Sequence, residues 1–224
     1  MTREYLRKEF PEEDVKFNGF GWEGPITSAV LLRGMGFFAD LYREPGRTKR
    51  YLELLTDSIV EFVYLTRKIN REPEVNPNET GLVDDFSSHV HPKMWPEFVI
   101  PYWDRFYGKS TSGRRTLHCE NLSPDHLRYL EDVGIAHYDP SVSAKLSPRT
   151  IRERISIPFT WRLPSFKLVE MSAQEVMEWV RWAAEEGATH VHMYIEEVTC
   201  EGDNPGKVLA FIEAAKELAR RLDF

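Results

Sequence analysis

Apolar residues recur with two different periods along this chain. From residue 47 to 69, Leu52, Leu55, Ile59, Phe62, Val63 and Ile69 fall at helical spacing. Val176, Trp179, Val180 and Ala183 share one helical face behind Ser172 and Glu175, which read as a capping box. Ser123-Pro124, Ser147-Pro148 and Asn204-Pro205 each place an N-cap residue before a proline at the first helical position. Residues 91–108 also carry a helical pattern, which Pro96 and Pro101 must start, kink or end. Between these lie short runs of strand character at residues 15–24, 80–86, 114–120, 134–140, 156–164 and 189–200. Strand and helix alternate almost strictly, which predicts parallel strands joined by crossover helices, an α/β layout. Residues 70–80 are the most loop-like stretch, and the chain reads as a single domain over 1–224.

Polar residues collect where the strand candidates end: Trp22 and Glu23, Asp84 and Asp85, His118 to Glu120, Tyr138 and Asp139, Arg162, and Cys200. In a parallel α/β barrel these ends form one face, the face that carries active sites. His118, Cys119 and Glu120 thus place three metal-ligating side chains where such a barrel puts its chemistry.

Composition narrows the function classes. With 224 residues, 42% hydrophobic and 29% charged, the chain suits one large domain or two small ones. No apolar run of about 18 residues is present, which predicts no membrane span. The charged N-terminus does not read as a signal peptide, so the cytoplasm is the expected compartment. A net charge of -7 with scattered Lys and Arg argues against nucleic acid as a partner. Two cysteines, Cys119 and Cys200, suggest chemistry or burial more than a disulfide.

Four phrases, in order, resemble the uroporphyrinogen decarboxylase superfamily, and most closely its zinc-dependent corrinoid methyltransferase branch. They are "GPITSAVLLRGMGFFADLYREPGRTKRYLELLTD", "LVDDFSSHVHPKMWPEFVIPYWDRF", "LHCENLSPDHLRYLEDVGIAHYDP" and "VTCEGDNPGKVLAFIEAAKEL". The resemblance implies a (β/α)8 TIM barrel. The six strand candidates correspond to its third to eighth strands, so the barrel is incomplete. A homodimer partner, a companion subunit, a lost N-terminal stretch or the first 15 residues are the candidates to cover the open edges.

The family's metal motif is His-x-Cys plus a Cys after the last strand. Cys200 fits the second part. In the first, His118 and Cys119 are adjacent and Glu120 stands two after the histidine. Side chains at i and i+2 share a strand face, which favours His118 and Glu120 as co-ligands; a sharp twist at the strand end brings Cys119 in instead. The bland alternative makes Cys119 a small buried residue.

By the same resemblance the chain moves a methyl group between a small molecule and a corrinoid on a partner protein, with zinc as Lewis acid. A carboxylate ligand tilts the substrate toward a methoxylated compound. Asp85 is then placed to orient a ligand or to act as general acid. Arg162 is placed to hold a substrate carboxylate, and Tyr138, with Trp22 and Trp161, to form an aromatic wall. The plain reading of Asp84 and Asp85 is that they cap the next segment. His190 and His192 share a strand face, near the strand's beginning. Two alternatives compete: a non-catalytic or accessory barrel chain that needs a companion, and a tetrapyrrole decarboxylase.

Overall fold

The computed structural model describes residues 2–17 and 21–221. The chain forms two compact units, Met1–Arg115 and Thr116–Phe224.

In the first unit, helices α1 (Thr2–Glu9), α2 (Pro25–Arg33), α3 (Gly36–Arg43) and α4 (Pro45–Asn70) lead to strand β1 (Glu79–Val83). The short helix α5 (Trp95–Phe98) and helix α6 (Ile100–Ser110) follow. The apolar stripe of α4 is buried at Leu52, Ile59, Val60 and Val63 and packs toward α2 and α6. The helical pattern of residues 91–108 breaks at Val99, where Pro101 sits in the first turn of α6. The core here is aromatic: Trp95, Phe98, Trp103, Phe106 and Tyr107 are fully buried, or nearly so.

The strand expected at residues 15–24 does not form among the described residues, and residues 18–20 lie outside them. At Phe17 its backbone groups have a side chain as partner, whereas Gly24 N–H donates to the Val83 carbonyl at the end of β1. The Asn70 carboxamide accepts from Phe17 N–H at 2.7 Å and donates to the Phe17 carbonyl at 2.7 Å. A side chain thus takes the place of a neighbouring strand.

Strand β2 (Arg114–His118) runs from the end of the first unit into the second. The second unit continues with α7 (Arg128–Asp132), β3 (Ile135–Asp139), α8 (Pro148–Arg154), β4 (Thr160–Arg162) and α9 (Ser165–Glu170). It closes with α10 (Ala173–Glu185), β5 (His190–His192) and α11 (Asn204–Arg221). Just past β2, Cys119 N–H donates to the Asp139 carbonyl at the end of β3 at 3.1 Å. A parallel bridge joins Tyr138 to Phe159, and β4 pairs with β5 in parallel, Thr160 opposite His190 and Arg162 opposite His192. The α/β alternation is as read. Five short strands are described, in place of the six expected and the eight of a complete barrel.

Local signals explain most helix starts in this unit. Ser147 Oγ accepts from Thr150 N–H at 3.1 Å at the head of α8. Ser172 and Glu175 form the expected capping box of α10. Val176, Val180 and Ala183 are then buried, and Val176 and Val180 pack with Leu163, Leu168, Phe211 and Ala214. Ser123 differs. The buried His126 imidazole bonds both its N–H (3.0 Å) and its hydroxyl (2.8 Å). That local ring holds a turn, and α7 starts only at Arg128.

Candidate functional site

Alternation along three neighbouring strands of the second unit builds a polar face in two layers. In β3, positions 137 and 139 point one way; in β4, positions 160 and 162 do; in β5, positions 190 and 192 do. The lower layer holds His137, Thr160 and His190. His137 Nε2 bonds the Thr160 hydroxyl at 2.8 Å, and the His137 and His190 rings meet edge-on at 4.8 Å.

The upper layer lies toward the strand ends and is charged. Asp139 is its hub. Its Oδ2 meets His118 Nδ1 at 2.8 Å and accepts from Arg162 Nη2 at 2.9 Å. Its Oδ1 accepts from the Ser141 N–H at 2.8 Å. Arg162 Nη1 donates to Ser141 Oγ at 2.7 Å, and the guanidinium stacks over the Tyr194 ring at 4.5 Å. His192 meets the other side of this group, its ring edge-on to Tyr194 at 4.9 Å.

Electrostatics follow from that packing. Burial works to raise Asp139, but the hydrogen bonds from His118 and Ser141 and the charges of His118 and Arg162 outweigh it, leaving the carboxyl below its ordinary value. Burial lowers His192, the Arg162 charge lowers it further, and Asp139 opposes both.

The expected metal donors fall into three places. His118 and Glu120 come near each other, Nε2 to Oε1 at 3.9 Å; β2 ends at His118, so the turn after it and not strand alternation sets this distance. Cys119 is fully buried. Cys200 is exposed and ends a 3-10 turn, Glu197–Cys200. The turn exists because Thr199 Oγ1 both donates to the Glu196 carbonyl and accepts from its N–H. Among the described residues, no three His, Cys, Asp or Glu side chains gather as a metal group.

The other candidates are placed as follows. Tyr138 is fully buried on the opposite face of β3, where its hydroxyl donates to the Cys119 carbonyl at 2.9 Å. Arg162 sits in the upper layer with both terminal nitrogens bonded to this chain. Asp85 lies in the first unit, at the start of a 3-10 turn, Asp85–His89. Its neighbour Asp84 is wholly buried at the head of α2, bonded to Thr27 N–H and Trp103 Nε1. Asp139 stood among the strand-end polar residues of the sequence without a role, and Ser141 and Tyr194 were not singled out. The signal was present in the i, i+2 pairs Asp139 with His137 and Tyr194 with His192.

No family model matches the sequence, and no curated protein matches it. Among solved structures, a methyltransferase from Methanosarcina mazei is similar in fold, with a TM-score of 0.68 at 16% identity. The match covers 96% of this chain and 62% of that one. The chain therefore spans less than two thirds of the length of that neighbour, and the likeness concerns the fold.

Proposed function

We propose that the chain carries the active centre of a methyltransferase that moves a methyl group between a small molecule, such as a methoxylated compound, and a corrinoid on a partner protein. His118, Glu120 and Cys200 are the proposed zinc donors. The observation that carries this reading is the posture of His118. Its Nδ1 is engaged by Asp139, and its Nε2 is turned toward Glu120 at 3.9 Å. A fold shared with a methyltransferase supports it.

The residues fit a zinc ion as a donor pair. Imidazole nitrogen and carboxylate oxygen are both accepted donors. Cys200 is not gathered with them among the described residues; its thiolate is the third donor by its chemistry. When bound, the ion supplies Lewis acidity toward a thiol or a methoxyl oxygen.

The chain's own residues do the rest. Asp139 and Arg162 hold the imidazole in place through the bonds given above. Tyr138 fixes the backbone carbonyl at Cys119, between the two donors. The buried Cys119 keeps that segment seated in the core.

Metal analysis of the purified chain tests the reading, with wild type beside His118→Ala, Glu120→Ala and Cys200→Ala. The expected result is about one zinc per chain in wild type, lost in the His118 and Cys200 variants. A folded wild type that takes up no added zinc overturns it.

A second reading, a chain that works only inside a larger assembly, is favoured by the five strands described where a complete barrel has eight. Light scattering after size exclusion separates the two, because a well-behaved monomer with bound zinc needs no companion to hold its metal.

A further inference from the structure

The upper layer of the second unit is more ordered than a pair of metal donors requires, and the excess order centres on one proton. Asp139 receives three donors from this chain: Ser141 N–H at Oδ1, and Arg162 Nη2 and His118 Nδ1 at Oδ2. Arginine keeps its charge throughout the working range of proteins, so its contact with Asp139 favours the ionised carboxylate. An ionised carboxylate only accepts hydrogen bonds. The proton in the 2.8 Å contact between His118 and Asp139 therefore sits on Nδ1. When the imidazole is neutral, as a metal ligand must be, that is its one ring proton, and the lone pair is on Nε2, on the side where Glu120 stands.

Arg162 is built into the same device. Its side chain is 10% exposed, against 23% for both Asp139 and His118. One terminal nitrogen holds Asp139, the other holds Ser141, and Tyr194 covers the guanidinium face. Ser141 has a left-handed backbone, φ 53°, and the Asp139 carboxylate binds its N–H. The loop after β3, the arginine and the imidazole thus share one carboxylate.

We propose that Asp139 is a positioning residue that holds His118 as the Nδ1–H tautomer, so that Nε2 is the atom presented to a ligand, and that Arg162 acts through Asp139 and not on the substrate. What Nε2 binds rests on the zinc reading above; the tautomer itself does not.

Long-range proton–nitrogen correlation spectra of the ¹⁵N-labelled full chain, at about pH 8.5 and without metal, read the tautomer directly. The pH is raised further until both ring-nitrogen shifts of His118 stop moving, so that the neutral ring is the form read. The His118 signals are identified by their loss in His118→Gln. Wild type is expected to show a protonated Nδ1 and an unprotonated Nε2. In Asp139→Ala the proton moves to Nε2, the tautomer that free imidazole favours. Asp139→Asn, nearly the same shape, repeats the test should the alanine variant not fold. A wild type already protonated at Nε2 overturns the proposal, as does an unchanged tautomer in a folded Asp139 variant.

Zinc titration supplies the second readout. Loss of Asp139 is expected to weaken binding by about 10–100-fold. Adding Arg162→Ala to Asp139→Ala should change nothing further, because the arginine acts through the carboxylate. A further tenfold loss in the double variant overturns the role given to Arg162. Should wild type bind no zinc yet show the expected tautomer and its reversal, the positioning stands and the metal reading fails.

Discussion

Replacing Asp84 probes how the first unit holds its strand end. Its carboxylate is completely buried. Oδ1 accepts from Thr27 N–H at 2.7 Å; Oδ2 accepts from Ile26 N–H at 3.3 Å and from Trp103 Nε1 at 2.6 Å. Two of these donors are unbonded amides of the first turn of α2, where the helix dipole also favours a negative charge. Gly24 lets the carboxylate in: a Cβ there would fall 2.4 Å from the Asp84 side chain. Burial pushes the Asp84 carboxyl above its ordinary value, against the bonds from Trp103 and Thr27.

Asp84→Ala leaves at least three buried donors without this acceptor, each costing about 1–3 kcal/mol. It also relieves the desolvation of a carboxylate, which returns several kcal/mol. The net loss is about 3–5 kcal/mol, the cost of the unsatisfied donors together less the relieved desolvation. Asp84→Asn keeps the shape but must aim its NH2 at donors on one side, and should lose about 2–4 kcal/mol. Urea unfolding followed by tryptophan fluorescence measures both. At a slope of about 2 kcal/mol per molar, a 4 kcal/mol loss lowers the midpoint by about 2 M. A folded Asp84→Ala within about 0.5 kcal/mol of wild type would refute the reasoning, since ordinary surface changes fall in that range.

Ser172→Ala removes the hydroxyl that accepts from Glu175 N–H at the head of α10; about 1 kcal/mol and a melting temperature about 2–4 °C lower are expected by calorimetry. Tyr138→Phe strips the Cys119 carbonyl of a buried partner and should cost about 1–3 kcal/mol in the same experiment. Asp139 has a folded value below its unfolded one, so its stabilisation is full above about pH 3.9 and is lost as pH falls through the folded value. The stability gap between wild type and Asp139→Asn, read by thermal melts, should therefore shrink from about pH 6 to about pH 3; a constant gap would exclude an ionised Asp139 as the cause.

Features specified within a few residues came through from sequence to structure. The Ser172–Glu175 box and the Ser147 cap are complete in their own segments, and the apolar stripe of α4 holds at Leu52, Ile59 and Val63, with Ile69 exposed. Features that depend on a distant partner did not. Residues 15–24 have a strand pattern, but Asn70, far along the chain, takes the backbone of Phe17. Ser123 and Pro124 look like a helix start, yet His126 captures the serine first. Cys200 reads as a strand-end ligand, but its strand stops at His192 and Thr199 turns the chain. In each case the local preference was real, and a competing hydrogen bond of similar strength decided the outcome.

The nearness of His118 and Glu120 was legible in their spacing, though β2 ends at His118 and Glu120 sits in the turn that follows it. The bond from Asp139 to His118 was not, because it depends on how β3 is set against β2. A slip of one residue would turn Asp139 to the other face, away from the imidazole. Two bonds to residue 119 resist that slip: Cys119 N–H to the Asp139 carbonyl, and the Tyr138 hydroxyl to the Cys119 carbonyl. Tyr138 and Asp139 are consecutive, so their side chains leave the strand on opposite faces. The tyrosine is buried in the core and pins the register from that side, and the aspartate uses the register on the polar side. The sequence shows a Tyr-Asp at a strand end. Only with both faces occupied does it become clear why a fully buried tyrosine belongs beside the carboxylate that orients His118.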